Sequence, residues 1–307
     1  MVQYRHAVLE ALGLRRWFGD VVALDGLDME IRAGRVTGFL GPNGAGKTTT
    51  MRAMLGLTSV DAGEILYDGR PITRPDRRRF GYMPEERGLW EDMPILEQIV
   101  LLGRLRGADR VEVEQRAAEL FARVGLGDRT GDKAKALSQG NQQRVQLVAA
   151  LVSDPAVLIL DEPFSGLDPM GVDTMAEILA EEAATGRTVL FSSHQLDLVE
   201  DLCEDVVIVN AGRAVAAGPV RELTTAGDTR LVVEVNGDHV GRWADAVDGV
   251  EVSERSDGAV RLILHNVDSQ AVLVAAQRAG PVRRFTTERR RLSEVFREAT
   301  AARGGGL

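Results

Sequence analysis

The run Gly41-Pro42-Asn43-Gly44-Ala45-Gly46-Lys47-Thr48 matches the phosphate-cradling pattern G-x-x-x-x-G-K-[ST] at every specified position. Its glycines let the backbone curl until the N–H groups face inward, the following helix offers its positive end, and Lys47 adds a compact cation. Such a loop works between a buried strand and a helix, which points to an α/β fold. Residues 35–40 read as the strand and 49–57 as the helix, so the order is in place. A glycine-rich turn that binds nothing would not need that context. Asn43, Gly44, Gly46, Lys47, Thr48 and Thr49 are therefore candidate contacts to a nucleoside triphosphate, and the Thr48 hydroxyl stands where it can ligate Mg²⁺.

A chain of 307 residues, 44% of them hydrophobic, is long enough for one large domain and a smaller one. A net charge of -9 with a pI near 5.2 argues against nucleic-acid binding, which needs clustered cations. Cys203 is the only cysteine and the first residues lack the apolar run of a signal peptide, so a cytosolic chain is expected. No stretch approaches the ~18 consecutive apolar residues of a membrane-spanning helix. A membrane role would therefore need a partner.

Residues 7–31 alternate around Gly19-Asp20 as two antiparallel strands, the first ending in Trp17 and Phe18. An aromatic there either stacks on a purine ring or packs the core of its strand. Short strands are expected at 63–69 and 79–83, and a helical insertion at 95–106 and 111–124, broken by Gly107-Ala108-Asp109. Ser138 reads as the N-cap of a helix that carries helical spacing through 142–152. The apolar run 157–160 ends in Asp161-Glu162, as a central parallel strand would if it delivered two carboxylates at its C-terminal end. After Ser165-Gly166-Leu167-Asp168 come a helix, a strand at 188–191, and His194, which reaches the same edge.

Taken together, the loop at 41–48, the signature at 137–141, the pair at 161–162 and the histidine at 194 resemble the nucleotide-binding subunit of an ABC transporter. The likeness spans residues 7–225 and is greatest to the exporter branch, in which such a subunit works with a separate membrane protein. It implies an ATP-binding domain of P-loop NTPase type, with a mixed sheet, an antiparallel β subdomain and a helical insertion. It also implies ATP and Mg²⁺ as cofactors. By the resemblance, Asp161 would hold Mg²⁺, Glu162 would polarise the attacking water and His194 would contact the γ-phosphate. Ser138 and Gly140 would bind the nucleotide of a second ATP-binding subunit, and Asp168 would couple the two sites at the dimer interface. Glu85, in Gly81-Tyr82-Met83-Pro84-Glu85, departs from the family, which places a metal-directed glutamine there. A carboxylate can still ligate magnesium, or it can stand further off. Residues 86–106 would dock the membrane-spanning permease, which would hold the subunit at the cytoplasmic face.

Past the small polar linker at 224–228, strands at 231–235, 249–253, 260–264 and 282–286 alternate with helical patterns at 239–247 and 269–279. The order βαββαβ is that of a ferredoxin-like accessory domain over 229–302, closed by a helix at 292–302 and followed by a disordered tail at 303–307. Arg289-Arg290-Arg291 is either a solvated face or a contact with an anionic lipid or partner. The leading function is an ATP-hydrolysing exporter subunit. The alternative is a soluble ABC-type ATPase that regulates a ribosome- or DNA-associated process.

Overall fold

The computed structural model describes residues 8–86, 88–237, 241–256, 258–265 and 267–301. Ala7, at the head of the first expected strand, and the expected tail at 303–307 lie outside them. The chain forms two compact units: the first runs to Val220 and takes back the segment from Phe296, and the second is Arg221–Val295.

In the first unit the elements are β1 (Leu9–Phe18), β2 (Val21–Ile31), β3 (Val36–Leu40), α1 (Lys47–Met54), β4 (Ala62–Tyr67), β5 (Arg70–Pro71), α2 (Arg74–Arg77), β6 (Phe80–Met83), α3 (Ile95–Leu105) and α4 (Arg110–Arg123). They continue with α5 (Gln139–Leu151), β7 (Val157–Leu160), α6 (Pro169–Ala184), β8 (Thr188–Ser193), α7 (Leu196–Leu202), β9 (Asp205–Asn210), β10 (Arg213–Pro219) and α8 (Val220–Thr225), which crosses the unit boundary. One sheet has the order β10-β9-β3-β8-β7-β6, parallel except for the β9–β10 hairpin. Strands buried on both faces read as unbroken apolar runs, and β3 and β7 are buried along their whole length. Leu40 pairs with Ser193, Phe191 with Leu160, and Leu160 with Met83. This register brings the C-terminal ends of β3, β8, β7 and β6 to one edge.

A second, antiparallel sheet has the order β2-β1-β4-β5. Its Leu9, Leu14, Leu27 and Ile31 share one core with Met51 and Met54 of α1 and with Phe39, Ile159 and Leu190 of the mixed sheet. Helix α1 starts two residues before the expected 49, directly after Gly46 at φ 104, and ends at Met54 because Gly56 at φ 72 turns the chain away. The insertion packs α3 closely on α4, since a Cβ on Gly103 would lie 2.6 Å from Val113 Cγ1. At the sheet end opposite the phosphate loop, Arg187 and Glu182, each 5% exposed, form an ion pair of 2.7 Å. Arg123 of α4 joins Glu182 at 3.1 Å, and Arg116 reaches Asp154 at 2.8 Å. The insertion is thus tied to α6 and to the entries of β7 and β8. Among the described residues no helix is long and apolar enough to cross a membrane.

The second unit contains β11 (Thr229–Val235), β12 (Val250–Ser256), β13 (Ala259–Leu264), α9 (Ser269–Ala279), β14 (Val282–Glu288) and the start of α10 (Leu292–Ala301). Its sheet, in the order β12-β13-β11-β14, is antiparallel throughout. The helix expected at 239–247 is a correction. Residues 238–240 lie outside the description, and Arg242–Ala246 is one 3-10 stretch. It begins only after Gly241, whose φ of 63 and whose contact with Val260, 1.9 Å from an added Cβ, force a turn. Thr224 and Thr225, read as linker, close α8, and Phe296 onward groups with the first unit rather than the second.

His265 closes β13 with Nδ1 2.7 Å from Asp228 Oδ2 and Nε2 3.1 Å from Glu251 Oε2. The hydrogen bonds to Glu251 and then Asp228 raise its pKa above the ordinary 6.5. A raised folded pKa means that this stabilisation is complete below the unfolded value and is lost as pH rises through the folded one. The second unit is expected to melt at lower temperature as pH climbs through that window, with His265→Gln flattening the trend. Thermal denaturation of the full chain over a pH series checks it.

Candidate nucleotide-binding and catalytic site

The phosphate loop leaves the end of β3 under close backbone control. A Cβ on Gly41 would lie 2.5 Å from Val209 O, and one on Gly46 2.6 Å from Ala23 O, so only glycine fits at either position. Lys47 Nζ donates to Gly41 O at 2.7 Å and Pro42 O at 3.3 Å, drawing the loop around its own cation. Above the loop lies a cavity of about 440 Å³. Asn43, Gly44, Gly46, Lys47, Thr48 and Thr49 line it, together with Glu85, Asp161 and Glu162 from the ends of neighbouring strands. Nine of the residues expected from sequence thus meet in one place.

Asp161 is 1% exposed. Its Oδ1 accepts from Ser192 Oγ at 2.6 Å, while its Oδ2 is buried with no hydrogen-bond partner. The same Ser192 oxygen accepts from Glu162 N at 2.8 Å, so one hydroxyl on β8 sets both acidic positions just past β7. Glu162 sits at φ 51, a left-handed conformation that a side-chain-bearing residue adopts only when its surroundings impose it. His194 Nδ1 lies 3.0 Å from Glu162 Oε2. Burial pushes the Glu162 carboxyl above its ordinary pKa, with His194 and then Lys47 pulling it back. His194 is largely exposed and meets the cavity through that carboxylate.

Two buried glutamines on α5 hold the backbone beneath these acids. Gln143 Nε2 donates to Glu162 O and Pro163 O, each at 3.0 Å, and Gln146 Nε2 donates to Pro84 O at 3.0 Å, just before Glu85. Sequence reading missed both, and missed Ser192. The available signals were amides spaced three apart on a helix with buried apolar neighbours, and a polar doublet closing a buried strand.

Ser138, Gly140 and Asp168 do not line the cavity. Ser138 Oγ caps α5 by accepting from Asn141 N at 3.4 Å, and Asp168 Oδ1 caps α6 by accepting from Gly171 N at 2.9 Å. The two turns adjoin, since a Cβ on Gly140 would lie 3.2 Å from Gly166 O. Of the two expected readings of Phe18, core packing is a correction. The residue is 48% exposed, so it is not core, and its ring stands outside the phosphate cavity itself. The Arg16 guanidinium lies 4.6 Å above its ring. Val21, Val22 and Ala23 line the cavity instead, because the turn after Phe18 carries the next strand past the loop.

Residues 24–165 match the ABC transporter family, and residues 218–300 match the C-terminal domain of ATP-binding proteins like DrrA1-3. The chain is 38% identical to an uncharacterised ABC transporter ATP-binding protein, YhaQ, of Bacillus subtilis, covering 93% of this chain and 96% of that one. It is 33% identical to the Nod factor export ATP-binding protein I of Cupriavidus metallidurans, over 96% and 97%. A solved ATP-binding subunit of an ABC transporter superposes with a TM-score of 0.65 at 31% identity, over 70% of this chain and 91% of that one.

Removing the Ser192 hydroxyl leaves the buried Asp161 carboxylate and the Glu162 N–H without their shared partner. Ser192→Ala is expected to destabilise the first unit by about 1–3 kcal/mol, read as a shift in the urea midpoint.

Proposed function

The chain belongs to the family of ABC transporter ATP-binding proteins, whose domain binds and hydrolyses ATP, and we propose that it drives export through a separate membrane-spanning permease. That partner would hold it at the cytoplasmic face of the membrane, docked through the segment up to Arg106 that begins beside Glu85. The relative named for Nod factor export supports the direction of transport. The observation that carries the reading is the convergence of Lys47, Thr48, Glu85, Asp161 and Glu162 on one cavity, with His194 bonded to Glu162.

In this reading the inward loop amides and Lys47 bind the phosphates. Glu162, desolvated and oriented by His194, takes a proton from the attacking water. The donor set suits Mg²⁺, because Asp161 Oδ2 is a buried acceptor lacking any partner, and Thr48 and Glu85 border the same cavity. Among the described residues no three acidic, histidine or cysteine groups are grouped to hold a metal by themselves. Magnesium would therefore depend on phosphate oxygens as well, which is its usual habit. When bound, it neutralises charge developing on the transferred phosphoryl group. The position of Ser138, Gly140 and Asp168 away from the cavity supports their use by a second copy or a homologous subunit, so that two chains enclose two nucleotides.

Glu162→Gln is expected to keep ATP affinity and lower turnover by about 10²–10⁴-fold, with an ATP-dependent dimer accumulating on gel filtration. A persistent monomer, or turnover near wild type, would count against the assignment. Glu85→Gln removes a negative charge beside the metal's place and should raise the magnesium concentration needed for half-maximal hydrolysis. Magnesium titrations that superimpose for the two proteins would remove Glu85 from the metal's surroundings.

A further inference from the structure

The second unit has a cavity of its own, about 510 Å³, on the sheet face opposite its hydrophobic core. Leu231, Val233, Leu262 and Leu264 point into that core, so strand alternation places Arg230, Arg261 and Ile263 on the other face. The lining holds four arginines, Arg230, Arg261, Arg289 and Arg291, against three glutamates. All three glutamates are already engaged. Glu294 pairs with Arg230, and Arg261 holds both Glu254 and, at 3.0 Å, Glu288. Among the described residues neither Arg289 nor Arg291 has a carboxylate partner.

The arginine run at 289–291 is therefore not a uniform solvated face. Arg290 binds back within its unit, its N–H donating to Thr224 O at 3.0 Å and its guanidinium reaching Ala226 O at 3.4 Å. Its two neighbours border the cavity instead. Guanidinium forks match phosphate oxygens in pairs, and a phosphate monoester carries ~2 negative charges at neutral pH. A monoester gains from both free arginines, whereas a singly charged anion would exchange water for little. The volume lies within the range of small-ligand pockets.

We propose that this cavity binds a phosphate monoester, carried either by a soluble metabolite or by a lipid headgroup. The proposal does not depend on the reading of the first unit. The test uses the full chain carrying Lys47→Ala, so that the phosphate loop does not compete for the probes. Glycerol 3-phosphate is titrated calorimetrically, and phosphatidylcholine vesicles with and without phosphatidic acid are used for co-sedimentation. Binding is expected in one arm, and which arm responds identifies the source. Arg289→Gln/Arg291→Gln should weaken it about tenfold or more, and Arg283→Gln/Arg284→Gln, on β14 outside the cavity, should leave it unchanged. Neither Arg289 nor Arg291 supports another side chain, so the first variant should keep the parent's melting temperature. No binding in either arm, or equal loss with both double variants, overturns the proposal.

Discussion

Negative charge has to be gathered where more negative charge will arrive. The cavity above the phosphate loop has three carboxylates on its walls and one lysine, and a triphosphate is the molecule it serves. Like charges at this range repel unless cations and oriented dipoles intervene. Much of the surrounding structure follows from that constraint. Asp161 and Glu162 follow a fully buried strand, one serine hydroxyl binds at both, and the backbone of Glu162 is held in a left-handed turn. In the proposed role, the unpartnered Asp161 oxygen would be the acceptor kept ready for a cation.

The opposite end of the same strands is held by charge of both signs. Arg187 and Glu182 are buried as a pair that Arg123 of α4 reaches from the surface, and Arg116 of α4 holds Asp154, so the helical insertion is fastened to the entry of the strand that leads into Asp161 and Glu162. Breaking one member of such a pair leaves an uncompensated buried charge. Helix α5 completes the frame, since Gln143 and Gln146 tie the backbone at Glu162-Pro163 and just before Glu85 to one element. A displacement of α5 would move both groups at once, and α5 begins at the signature.

What could be read from sequence was local. The phosphate loop declares itself because its glycines answer to the conformation of one short segment, and Asp161-Glu162 because they close an apolar run. Ser192, Gln143 and Gln146 escaped notice because their work is done on residues 30, 19 and 62 positions away, and spacing along the chain says nothing of that. Val21 and Val22 escaped for a related reason, since hairpin geometry, not residue type, put them on the cavity wall. In the second unit, a helical pattern at 239–247 lost to the glycine that had to pass Val260.

The return of the chain to its first unit has a consequence for its biosynthesis. Asn210 Nδ2 on β9 donates to Thr300 O at 3.1 Å, 90 positions further along the chain, and the segment from Phe296 groups with the first unit. A ribosome makes the second unit before it makes that segment. The first unit therefore cannot acquire this hydrogen bond until the whole second unit has been synthesised, and a chain lacking residues 296–301 would be a nucleotide-binding unit without this clasp.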